Sequence, residues 1–277
     1  EITAIGASGF RVFFQSHIYA LIALIIIAAH LFLRQKMERK NAVLAGIVLY
    51  ASSLTILISQ SRSFWLAGVV TLACIFVFSL LTFREKRTYS LIVSSLLIII
   101  VISQFSALNL ITGNFGVNFA ERRFQNLSQE PATSSRMNQL NPLLTAIKKN
   151  PIMGSGFGTE FTYKSNDPRI LKEGLNGLRA TYASEWGYLD IILKIGAAGL
   201  LSYVIFILCI IGFAFSLQNN PLLKSLIFGL IGLSIVHIFT PYLNHPLGIA
   251  YILILSSFII NLQNDIQSHQ PLAQISR

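Results

Sequence analysis

Long stretches of this chain carry no charge, and that constrains its fold more than any other feature. Residues 12–33, 41–61 and 63–83 contain no Asp, Glu, Lys or Arg. Each is 21 or 22 residues long, and about 20 apolar residues carry a helix across the hydrocarbon of a bilayer. Charge is the usual means of solubility, and a soluble domain holds about 25% of it. This chain of 277 residues holds 12%, with 53% hydrophobic residues and a mean hydropathy of +0.64. The pattern predicts repeated bilayer crossings rather than buried core helices.

Seven crossings are expected, at about 15–33, 42–60, 64–83, 89–108, 187–215, 222–240 and 246–262. The fold class is therefore all-α, a multi-pass transmembrane helical bundle with one large loop between the fourth and fifth passes. Three regions follow: 1–108 with four passes, 109–184 as the loop, and 185–277 with three passes and a polar tail. Short turns set the orientation. Arg34, Lys36, Arg39 and Lys40 crowd one turn and Arg84, Lys86 and Arg87 another, and such turns stay in the cytoplasm. Residues 1–14, the Ser61-Arg62-Ser63 turn and the long loop then lie outside. Arg11, Arg62, Arg123 and Arg136 fall on that outer side, against the usual bias, and outer cations near a lipid surface suit a diphosphate headgroup.

The net charge of +10 does not indicate nucleic acid, because the positives are spread over turns and one loop with no basic-aromatic patch. Cys74 and Cys209 lie inside apolar runs and read as core or lipid-facing residues. The five histidines, at 17, 30, 237, 245 and 269, show no metal-binding spacing. The chain opens at Glu1 without Met, and residues preceding it are expected.

Within the loop, Met137, Leu140, Leu144 and Ile147 have helical spacing. Thr133, Ser134 or Ser135 is expected to cap this helix, Pro142 to break or restart it, and Asn150-Pro151 to end it. It reads as an amphipathic helix on the membrane surface, or as a plain solvent-side helix. Gly154, Gly156 and Gly158 follow. Their alternation suits a backbone cradle for an anion, and equally a flexible turn. Glu185 then opens the fifth pass, followed by Tyr188, Asp190 and Lys194. At a membrane mouth a carboxylate can act as a base, or simply sit favourably near a helix start that Ser184 caps. Asp190 and Lys194 are spaced to pair, and Gly196 and Gly199 to let helices approach. Arg62 is either functional or a snorkelling interfacial residue. His245 is an acid–base group or a polar turn residue.

Taken together, these blocks resemble the O-antigen ligase and polymerase family of bacterial envelope proteins. The resemblance rests on the Ser61-Arg62-Ser63 turn and on Arg136 followed by Asn150-Pro151 and the three glycines. It rests also on Glu185 followed by Gly196-Ala197-Ala198-Gly199-Leu200. One departure is that ligases of this family usually carry histidine where this chain has Glu185. The resemblance implies a multi-pass protein of the bacterial inner membrane whose active face and large loop are periplasmic. It implies glycosyl transfer without a cofactor or metal, from an undecaprenyl-diphosphate-linked glycan to an acceptor glycan or the lipid A core. Arg62 and Arg136 would then hold the leaving diphosphate and Glu185 would be the base. Arg11, Arg123, Gly154, Gly156, Tyr188 and His245 would contact substrate. Two other classes stay open: a transporter or flippase, which would show charged or broken helices within the membrane, and a non-catalytic glycan-binding assembly protein, which would need the arginines but not the base.

Overall fold

The computed structural model describes residues 2–5, 9–34, 37–83, 85, 87–112, 131–165, 176–217 and 220–274. Eight helices occur among them: α1 His17–Leu33, α2 Arg39–Ser59, α3 Arg62–Thr82, α4 Arg87–Thr112, α5 Pro131–Ile147, α6 Gly187–Ser216, α7 Pro221–His237 and α8 Pro246–Gln274. Two antiparallel hairpins join them. Strand β1 (Ile2–Ile5) pairs with β2 (Gly9–Val12), and β3 (Phe161–Lys164) with β4 (Leu178–Thr181). The hairpins were not expected from the sequence.

Five helices are long and apolar enough to cross a bilayer: α2, α3, α4, α6 and the first part of α8, Pro246–Asn264. The chain is a multi-pass helical membrane protein. Helices α1 and α7, at 17 residues each, stand at the lower limit for a crossing and form the buried centre. The polar tail continues as helix, because α8 runs on to Gln274.

Lipid tails are as apolar as leucine, so helices in a bilayer associate through close packing and hydrogen bonds rather than hydrophobic transfer. Both devices are present. A Cβ on Gly232 of α7 would collide with Ile25 of α1, so the bare glycine lets the two central helices touch. The Tyr203 hydroxyl donates to the Leu243 carbonyl at 2.8 Å and the Tyr251 hydroxyl to the Leu226 carbonyl at 2.6 Å. Gln104 of α4 donates to the Tyr50 carbonyl and the Ser53 hydroxyl of α2. Outward faces carry exposed aliphatics, as on α4 with Leu91, Ile92, Leu96 and Ile99.

The two ends of the bundle differ. At one, the Tyr89 hydroxyl donates to the Leu31 carbonyl and Ser79 meets Ser90, gathering the end of α1, the end of α3 and the start of α4. Arg34 and Arg87 belong to this end. At the other, the Tyr242 hydroxyl donates to the Gln15 carbonyl and its ring lies 6.0 Å from that of Phe64. The start of α1, the start of α3 and the turn before α8 meet there. Arg62 therefore stands at the end opposite the basic turns.

Candidate functional site

Helix α5 lies at the Arg62 end. Pro131 opens it, a position that needs no N–H. Thr133, Ser134 and Ser135 are therefore inside its first turns and do not cap it. Pro142 does not break it either; the helix runs through to Ile147. The buried face also differs from the one expected. Ser135, Gln139 and Leu143 are buried, whereas Met137 and Leu144 are exposed. Polar partners explain the change. Ser135 Oγ meets Ser165 Oγ at 3.1 Å, and Gln139 Oε1 accepts the Glu185 N–H at 3.1 Å. Leu143 packs with Phe161 and Tyr163 of β3 and Leu193 of α6 in a small separate core.

That packing sets α5 beside the segment leading into α6. Arg136 donates through Nε to Glu185 Oε2 as an ion pair. The Trp186 indole N–H donates to the Arg136 carbonyl at 2.9 Å. Glu185 is thus fixed by its own N–H, its carboxylate and its neighbour, all against α5. Its side chain still has 40% of its surface exposed and that of Arg136 33%, so solutes can reach both.

Arg62 reaches the same helix. Its Nη2 donates to Thr133 Oγ1 at 2.9 Å. Thr133 and Arg136 are three residues apart on α5, which makes them neighbours on one helical face. The α2–α3 turn presents Arg62 for this contact: Gln60 takes a left-handed conformation, φ 51°, and ends α2, and α3 starts two residues later. Arg62, Arg136 and Glu185, separated by up to 123 positions in the sequence, share one side of the molecule.

Gly154 and Gly156 take part in an interlock with α6. Helix α6 is interrupted at Gly196, φ 73° and ψ 179°, and the segment after α5 fills the interruption. The Ser155 N–H donates to the Leu193 carbonyl at 2.8 Å and the Gly156 N–H to the Lys194 carbonyl at 3.0 Å. In return the Ala197 N–H donates to the Pro151 carbonyl at 2.9 Å and the Ala198 N–H to the Ile152 carbonyl at 3.1 Å. The Gly154 N–H goes to the Asn150 carbonyl. The N–H groups of Gly154, Ser155 and Gly156 are thus committed to protein carbonyls. Gly154 and Gly196 are glycines because both have positive φ and because a Cβ on either would strike the backbone of the other segment.

Other expected residues are spread more widely. The Tyr188 hydroxyl donates to the Ser234 carbonyl, and its ring stands edge-on to His237 at 4.7 Å, which ties it into the bundle. His245 precedes α8, and its Nδ1 accepts the Leu247 N–H at 3.3 Å, as a capping group does. Arg11 lies in β2 opposite Thr3, and its side chain is outside the described ones. Arg123 lies outside the described residues. Asp190 and Lys194 do pair, at 2.6 Å, and Asp190 is wholly buried. Asp190 also accepts from the Ser184 N–H and from Asn244 Nδ2. Gln139 and Asn244 had no sequence signal, being polar residues without a motif.

The family model described as O-antigen ligase matches residues 46–204. This stretch begins in α2 and ends in α6. It includes Arg62, Arg136, Glu185 and the interlocked glycines. No curated protein and no solved structure matches the chain.

Proposed function

Because this chain belongs to the O-antigen ligase family, whose members assemble envelope glycans in the membrane, we propose that Arg62, Arg136 and Glu185 form a glycosyl-transfer site. The observation that carries this reading is the placement of two guanidiniums along one face of α5, with the Glu185 carboxylate held against the same helix. The donor is a glycan on undecaprenyl diphosphate and the acceptor a hydroxyl of a second glycan or of the lipid A core. The acceptor oxygen attacks the anomeric carbon while its proton passes to Glu185. The bond from the anomeric carbon to the diphosphate oxygen breaks, and configuration inverts. Charge grows on the leaving diphosphate, where permanently protonated guanidinium groups stabilise it. Only Nε of Arg136 is used on Glu185; the guanidinium has four further N–H donors for phosphate.

The basic turns at the opposite end of the bundle support a periplasmic position for this site. A carboxylate in place of the ligase histidine favours polymerisation of lipid-linked repeats over ligation to lipid A core. The break in α6 and the charged pair within it are features expected of a transporter. They weigh less toward that reading because loop atoms fill the break and Asp190 has its partners.

The test is reconstitution of the protein in lipid nanodiscs with synthetic diphosphate-linked repeats. Longer lipid-linked chains support polymerisation, transfer to added lipid A core supports ligation, and the absence of both products rules out the transferase.

A further inference from the structure

The loop locked into the break of α6 has an outer side that the other described residues leave largely uncovered. Ile152 is 67% exposed, Met153 78% and Phe157 67%. Lys148 and Lys149, just before it, are exposed as well. The backbone is not free to fold these side chains inward, because four hydrogen bonds fix it to α6. Three large apolar groups held rigidly outward, beside two cations, need a surface of matching chemistry.

Two rulers give the height of this loop. Residues 197–216 of α6, beyond the break, span about 30 Å at 1.5 Å per residue, which equals the hydrocarbon thickness of a bilayer. With Ser216 set at the inner limit of the crossing, the break lies at the membrane boundary. The second ruler is α8, whose apolar span begins at Pro246. A cavity of about 170 Å³ is lined by Phe157 together with Ile195, Tyr203, Leu243 and Ile249. Phe157 is thus level with the first turn of a membrane-crossing helix. Both rulers place the loop at the lipid boundary, on the side of the bundle that bears Arg62.

We propose that residues 150–158 are a membrane anchor: Ile152, Met153 and Phe157 enter the lipid, while Lys148 and Lys149 meet headgroup phosphates. Apolar side chains buried about 5–10 Å into the headgroup–acyl boundary, with flanking cations at the surface, are the usual form of interfacial binding. The occupant is the bilayer leaflet itself. Since α5 leads directly into this loop, the anchor also holds Arg136 at a set height above the lipid. The inference does not depend on the proposed transfer reaction.

The test uses the full chain in nanodiscs of phosphatidylethanolamine and phosphatidylglycerol, with Cys74→Ser and Cys209→Ser as background. A polarity-sensitive fluorophore is attached at Met153→Cys. Glu160→Cys, exposed on the same connection, is the water control, and Leu96→Cys on α4 is the lipid control. The anchor predicts blue-shifted emission at 153, loss of most of it to acyl-chain quenchers, and no loss to aqueous iodide. Emission at 153 that instead follows the Glu160 control, quenched by iodide and insensitive to lipid-borne quenchers, overturns the proposal. Met153 is exposed, so its replacement leaves the packing intact, and the two controls report on folding in the same preparation.

Discussion

Arg136 and Glu185, 49 positions apart in the sequence, form an ion pair that closes α5 onto the start of α6. Both side chains keep a third or more of their surface, so the pair stabilises the fold by no more than about 1 kcal/mol. A double-mutant cycle with Arg136→Ala and Glu185→Ala should give a coupling in thermal stability at or below that size. A coupling several times larger would make the pair mainly structural.

Arg62 and Arg136 are proposed to grip diphosphate through the planar guanidinium fork. Lysine keeps the charge and loses the fork. Arg62→Lys and Arg136→Lys should each reduce turnover roughly 10²-fold, the size seen when one preorganised donor to a developing anion is removed. Steady-state turnover with a lipid-diphosphate donor checks this. Unchanged turnover in both variants would leave them as structural arginines.

The interlock of Gly154 and Gly196 makes a stability prediction. Alanine at Gly196 would sit at φ 73° and strike the Ile152 carbonyl. Left-handed strain and overpacking together cost roughly 2–5 kcal/mol. Gly196→Ala should lower the unfolding midpoint in detergent markedly, and Gly154→Ala should do the same. Gly158→Ala should not, since open space surrounds it. Equal midpoints for all three would contradict the interlock.

Asp190 is buried with Lys194, Asn244 and the Ser184 N–H around its carboxylate. Removing one member of a buried pair costs about 3–5 kcal/mol, whereas replacing both by apolar groups is often neutral. Asp190→Leu alone should be strongly destabilised, and Asp190→Leu with Lys194→Met should recover most of the loss. Thermal unfolding of the purified variants in detergent reads this directly. A double variant no better than the single would mean that Asp190 acts through Ser184 and Asn244 instead.

The helical bundle was legible in the sequence because a crossing helix needs a long run free of charge, and residues 41–61 and 63–83 announce themselves on that ground alone. The hairpin of β3 and β4 was not, because each strand has four residues and their partners are set by tertiary packing. The face of α5 was misread for a related reason. Its buried positions include Ser135 and Gln139, whose burial depends on Ser165 and the Glu185 N–H, and apolar periodicity cannot register such partners. The glycine block was legible as a place that requires glycine. Its partner, the helix break at Gly196, lies 42 residues beyond Gly154, too far for the alternation of Gly154 and Gly156 to reveal it. Arg62, Arg136 and Glu185 were named from motif spacing, and only the fold shows that Thr133 brings Arg62 to the helix that carries Arg136.

The most direct measurement of the central claim is chain extension by Glu185→Gln in nanodiscs, with donor binding measured on the same sample. The amide keeps the shape of the carboxylate and cannot accept the acceptor hydroxyl's proton. Extension should fall roughly 10²–10⁴-fold with lipid-diphosphate binding retained. Extension at the wild-type rate would exclude Glu185 as the base.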